Sequence, residues 1–139
     1  MDVKKNKPTN NKSLLYKELV YQLQGIFFEI YKSVGPGFKE LIYQNAIEEE
    51  LKENNINYKG EPTIKVKYKN KLLGYYKPDF IVDEKVIIEV KSVPEMPMYF
   101  ENQLFSYLKA SNYLLGLLVN FGSVGKVDIR RRIYESVRG

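Results

Sequence analysis

The sequence predicts a single α/β domain in which two helices lead into a mixed sheet. Three observations predict it: two long stretches carry apolar residues at helical spacing, the pattern switches to period-two alternation at residue 64, and a further helical stretch lies between short apolar runs. The element order is α-α-β-β-β-α-β-β, and 139 residues with 44% hydrophobic content suit one domain with an ordinary core.

Residues 1–12, with Lys4, Lys5 and Lys7 among polar neighbours, read as a flexible basic arm, and 13–139 as the domain. Ser13 is a suitable N-cap for a first helix whose stripe is Leu19, Leu23, Ile26 and Ile30, widened by Val20, Phe27 and Val34. Gly35-Pro36-Gly37 ends it. A second helix is expected over 38–54, with Ile42, Tyr43, Ala46, Ile47 and Leu51 on its apolar side. Ile64, Val66 and Tyr68 then alternate with Lys65, Lys67 and Lys69, the pattern of a strand with one wet face. After a turn at Asn70, residues 72–76 and 80–82 form a second strand interrupted at Pro78, and Asp83-Glu84 makes another tight turn. Residues 86–90 are a short, almost wholly apolar strand. A helix over 98–111 follows the Pro94 and Pro97 loop, then a buried strand over 114–119 and an edge strand over 127–133.

Two absences in the composition narrow the chemistry. Without Cys there is no disulfide, thiolate zinc site or Cys nucleophile; without His there is no Ser-His-Asp triad, His base or imidazole ligand. A bound metal must take carboxylates, carbonyls and water, which favour Mg²⁺, Mn²⁺ or Ca²⁺. The first 13 residues lack the apolar core of a signal peptide, and the apolar run over 113–119 is far too short to span a bilayer, so a soluble cytoplasmic protein with no membrane partner is expected. A net charge of +5 fits attraction to a polyanion, although so modest an excess also occurs in domains that bind none.

The strand over 86–90 runs on into the residues that could do chemistry. Alternation puts Ile87, Glu89 and Lys91 on one face and Ile88 and Val90 on the other. Pro78-Asp79 brings a second carboxylate on the preceding strand, and a short hairpin would set it beside Glu89. Two carboxylates converging at the end of a buried sheet repel each other unless a cation sits between them. Singly, each residue has a plainer account: Glu89 and Lys91 as an ion pair, Asp79 as a turn former, Glu40 as an N3 carboxylate on a helix capped by Gly37, Gln103 and Tyr107 as a surface pair at i,i+4.

Taken together they resemble a known family. Gly37, Glu40 and Tyr43 spell the signature of the GxxExxY family of small prokaryotic proteins, Pro78-Asp79 and Glu89-Val90-Lys91 look like the motif of the PD-(D/E)XK nuclease superfamily, and Gln103 and Tyr107 resemble the Q-x-x-x-Y motif of its exonuclease-like branch. The likeness runs from about Ser13 to Ile133 and includes Asn120-Phe121-Gly122; it departs at Phe100, where a polar ring such as His is common in the family. The resemblance implies a restriction-endonuclease-like mixed sheet flanked by helices and a Mg²⁺- or Mn²⁺-dependent nuclease acting on DNA, less readily RNA. It implies that Asp79, Glu89 and the Val90 carbonyl ligate the metal, that Glu40 completes the acidic shell directly or through water, and that Lys91 orients the attacking water. Gln103 and Tyr107 would position the scissile strand or support Lys91.

The backbone of a nucleic acid would find Arg130, Arg131 and Arg132 or the Lys65, Lys67 and Lys69 face, with Tyr75 and Tyr76 for stacking. Lysines on an edge strand also serve simply to block edge-to-edge aggregation. The competing readings are a nuclease fold kept as a binding or regulatory module with little turnover, and a structural interaction subunit that binds neither metal nor nucleic acid.

Overall fold

Helix α1 (Lys17–Val34) forms where the apolar stripe predicts it, burying Val20, Leu23, Ile26, Phe27 and Ile30. The computed structural model describes residues 15–135, so the expected basic arm and the Ser13 cap lie outside the described residues. Gly35, at φ 77°, stops the helix and donates its N–H to the Tyr31 carbonyl, a backbone angle that residues with a Cβ adopt at a cost. Helix α2 (Glu40–Glu53) starts later than expected: Lys39 is its N-cap, so Glu40 is the first helical residue and not the third turn-forming one. Its buried stripe is narrow, only Tyr43, Ile47 and Leu51, while Leu41 and Ile42 stay exposed.

The strands divide into two sheets. The larger has the order β1-β4-β5-β6-β7, made of β1 (Tyr58–Gly60), β4 (Phe80–Val82), β5 (Val86–Lys91), β6 (Leu115–Asn120) and β7 (Asp128–Ile133). Only β5 and β6 pair in parallel; the crossover between them is helix α3 (Met98–Ser111). The smaller sheet is a hairpin of β2 (Ile64–Tyr68) and β3 (Lys71–Tyr76). The expected interrupted strand is thus two strands in different sheets, because Pro78 cannot donate to a ladder and breaks pairing between Tyr76 and Phe80. Strand β1, three residues with no alternation, had no signal to announce it. Lys69 leaves the strand as well: with Asn70 it forms a two-residue turn at φ 49° and 65°, the geometry of a primed hairpin turn.

The large sheet has a core on each face. On one, Val86, Ile88 and Val90 of β5 and Leu115, Leu117 and Val119 of β6 meet α1 and α2. On the other, Ile87, Leu118 and Ile81 meet Leu104 and Leu108 of α3 and Tyr76 of the hairpin. Gly116 lets α3 come close, since a Cβ there would lie 2.9 Å from Leu104. Alternation along β5 therefore sends its apolar residues to both cores, and the charged end of one face emerges beside α3 and the hairpin.

Candidate active site

Asp79 and Glu89 converge where β4 and β5 meet. The register pairs Phe80 with Ile88, so Asp79, one residue before β4, lies level with the end of β5. Its carboxylate is fixed from two sides: Oδ2 accepts the Val90 N–H at 2.6 Å and Oδ1 accepts the Gln44 side-chain amide at 3.0 Å. Glu89, on the α3 face, accepts the Tyr76 hydroxyl at Oε2. Glu40 opens α2 on the same side, close enough for its charge to act on both carboxylates.

The electrostatics are those of a crowded acidic pair. Burial pushes Glu89 up to about 7, and the charges of Asp79 and Glu40 add to it, against the opposing pull of the Tyr76 hydroxyl and Lys91. Burial also raises Asp79, which the Val90 N–H and Lys91 pull back down while Glu40 and Glu61 push it higher. Tyr76, buried against Glu89, is held well above the usual phenol range, first by burial and then by the carboxylate charge.

Lys91 makes no ion pair with either carboxylate. Its ammonium lies 4.6 Å from the ring centre of Phe100 on α3. The segment beyond Lys91 is clamped by Asn120, the one fully buried polar side chain among the described residues. Asn120 accepts the N–H groups of Val93 and Gly122, each at 3.0 Å, and donates to the Val93 carbonyl at 2.9 Å. Gly122 is required here: a Cβ would lie 2.4 Å from the Val93 backbone. The Ser92 hydroxyl, at 2.5 Å from the Phe38 carbonyl, ties the same segment to the start of α2. A cleft of 230 Å³ opens on Asp79, lined by Leu41, Gln44, Asn45, Glu48, Glu61 and Phe80 among others. A roomier cavity of 760 Å³ along α1 includes Arg131 and none of these acidic residues, so size does not locate the chemistry.

The expected site residues fare differently. Asp79, Glu89, Lys91 and Glu40 come to one corner. Tyr107 reaches it through a flat stack on Tyr76, with centroids 3.8 Å apart and planes at 5°. Gln103 is exposed one turn earlier on α3 and hydrogen-bonds to neither carboxylate. Tyr43 is a packing residue: fully buried, it stacks on Phe121 at 4.5 Å and donates its hydroxyl to the Gly35 carbonyl at 2.6 Å. The arginines are not one patch. Alternation sends Arg130 and Arg132 toward α3, where both bridge to Glu101, at 2.7 and 3.7 Å, and Arg130 also to Asp128 at 2.9 Å. Tyr76 is 5% exposed and closed to a base, whereas Tyr75 is 57% exposed directly across from Lys65. Lys67 is exposed on β2, and the Lys69 ammonium lies 5.3 Å from the Tyr68 ring centre. Gln44 was missed, although it stands one helical turn after Glu40 and so on the same face.

The oxygens available to a cation are those of Asp79 and Glu89, with the Val90 carbonyl next to Glu89. This set suits a hard divalent ion, and a positive charge would offset the burial and the neighbouring carboxylate charges that raise both carboxyl groups. Among the described residues no group of three or more acidic side chains is arranged to hold a metal, so Glu40 stands outside direct reach.

Comparison with known proteins bears on the superfamily and the fold. The family model of the PD-(D/E)XK nuclease superfamily matches residues 17–132. The solved structure of SSO0001 is similar in fold, with a TM-score of 0.53 and 21% identity over 70% of this chain; the match spans 50% of that protein. No curated protein matches the sequence. No helix among the described residues is long and apolar enough to cross a membrane.

Proposed function

Because this chain belongs to the PD-(D/E)XK nuclease superfamily, we propose that it is a cytoplasmic Mg²⁺- or Mn²⁺-dependent enzyme hydrolysing phosphodiester bonds in DNA, with RNA the less favoured substrate. The observation that carries this reading is the convergence of the half-buried Asp79 and Glu89 where β4 and β5 meet, with both carboxyl groups raised first by burial and then by neighbouring carboxylates. A structural ion pair would have the opposite signature, with carboxyl groups lowered by a close cation. Gly37, Glu40 and Tyr43 support the narrower placement in the GxxExxY family.

Asp79 and Glu89, with the Val90 carbonyl, would hold the metal, and Glu40 would complete the acidic shell through water. When bound, the ion would supply Lewis-acid polarisation and a more acidic water, chemistry that does not need a His base. Lys91, seated on Phe100 and not neutralised by an ion pair, orients the attacking water and offsets charge building on the phosphate. Gln103, exposed on α3, contacts the scissile strand. Lys65, Lys67 and Lys69 track the phosphate backbone, with Tyr75 available for stacking. Arg130 and Arg132 contribute less, since their charge is already engaged by Glu101 and Asp128.

One observation favours a second reading, a binding or regulatory module of the same fold: among the described residues no three acidic side chains are grouped to hold a metal. Incubation of the protein with single- and double-stranded DNA and with RNA, in Mg²⁺, Mn²⁺ or chelator, separates the two. The enzyme reading expects metal-dependent cleavage that falls about 10²–10⁴-fold in Lys91→Ala. Salt-dependent binding without cleavage of any substrate would favour the module.

A further inference from the structure

Helix α3 presents Phe100, Leu104 and Tyr107 at i, i+4 and i+7, one stripe facing the strand that carries Glu89 and Lys91. Phe100 meets Lys91 and Leu104 fills the hollow over Gly116. Tyr107 reaches neither carboxylate by a hydrogen bond. Its ring lies flat on that of Tyr76, whose hydroxyl donates to Glu89 Oε2.

We infer that Tyr76 is the positioning residue for Glu89, with Tyr107 as its platform. The inference rests on the metal-dependent reading of the site. A glutamate at a strand end has three side-chain torsions to fix, and the flanking Ile88 and Val90 offer its carboxylate no polar partner. Tyr76 has only two torsions. Its backbone is pinned as the last residue of β3 by pairing with Ile64, and its ring is clamped by the stack on Tyr107. A hydroxyl held on both counts fixes the rotation of the carboxylate it touches and leaves Oε1 for the cation. Hydrogen-bonding partners of ligating carboxylates set ligand orientation and metal affinity in this way. The tyrosine of the Q-x-x-x-Y pattern then acts on the site through its ring face, and the hairpin, which shares no ladder with the large sheet, adds one hydroxyl bond to the core packing that seats it there.

The test is calorimetric titration of Mn²⁺ into the full chain, beside thermal melting in chelator. Tyr76→Phe keeps the ring and the stack and removes only the hydroxyl. It should weaken Mn²⁺ binding about 10- to 100-fold, with melting in chelator changed little. Tyr107→Leu leaves Tyr76 and Glu89 in place but removes the platform, and should weaken binding severalfold; Tyr107→Phe should restore it, because only the ring is needed. Tyr76 as a mere core packer would give the wild-type Mn²⁺ affinity in Tyr76→Phe, and that result overturns the inference alone. Should Tyr76→Phe fold poorly, wild-type affinity in Tyr107→Leu overturns it equally. A wild-type protein that takes no Mn²⁺ overturns the metal reading and this inference with it.

Discussion

The two faces of β5 are built from the same six residues to opposite ends. Val86, Ile88 and Val90 enter an apolar core under α1 and α2, none more than 1% exposed. Ile87, Glu89 and Lys91 face α3 and the hairpin, and along that face hydrocarbon gives way to charge within two residues. The first face gains free energy from every side chain it buries. The second holds a carboxylate that burial and its neighbours push up to about 7, which means the fold works against its ionised form. The difference shows how a small domain keeps a destabilised site: the strand is locked in place from behind, and the charged face is braced by single contacts, Tyr76 to Glu89 and Phe100 to Lys91.

The largest effect that can break this comparison is on the hydrocarbon face. Ile88→Ala deletes a fully buried side chain at the centre of the α1–α2 core and should cost about 2–5 kcal/mol by denaturant unfolding. The same measurement on Glu89→Gln, two-state unfolding in chelator at pH 8, should show no loss or a gain. Equal losses at the two positions would mean that the faces are not energetically distinct.

A somewhat smaller effect sharpens it through pH. Folded Glu89 titrates near 7 and the unfolded residue near 4.5. Between those values the unfolded chain has released a proton that the native state keeps, so the unfolded state binds fewer protons and stability falls as pH rises. Below about 4.5 both states are protonated and the full stability is present; above about 7 the loss is complete, on the order of 3 kcal/mol. Denaturant unfolding of the wild type and Glu89→Gln in metal-free buffer across this range should diverge in that direction. Parallel curves would remove the destabilised carboxylate from the account.

The smallest effect concerns the seat of Lys91. Phe100→Leu removes a cation–π contact worth about 0.5–2 kcal/mol, so cleavage should slow from about twofold to thirtyfold with little change in melting. Phe100→Tyr, which keeps the aromatic face, should retain the rate. If the leucine variant is as fast as the wild type, Phe100 is ordinary packing.

How much of this the sequence announced follows from where each contact lies along the chain. The alternation Ile87-Ile88-Glu89-Val90-Lys91 is local, and the two faces of β5 are as that pattern predicts. So is the crossover helix, whose start Pro94 and Pro97 mark. The Tyr76–Glu89 contact and the Gln44–Asp79 contact join residues 13 and 35 apart, and no periodicity encodes which polar group meets which. The run Arg130-Arg131-Arg132 looks like one patch in sequence, yet a strand must send its neighbours to opposite faces, and Glu101 on α3 claims two of them. Phe100, a departure from the family pattern when read as letters, becomes the support for Lys91 once α3 is folded over β5.

If Asp79 and Glu89 form a site that a divalent cation relieves, thermal melting with and without Mg²⁺ or Mn²⁺ will show it. In the wild type, metal at a hundredfold excess over its dissociation constant should stabilise the fold by about 2.7 kcal/mol. Asp79→Asn removes a repelling charge and a ligand together, so it should melt at the same or a higher temperature than wild type in chelator and lose most of the metal-induced rise. Ile87→Val, on the same face of β5 as Glu89 but without ligand atoms, should keep that rise. A wild-type melting temperature that ignores saturating divalent metal would contradict the metal reading.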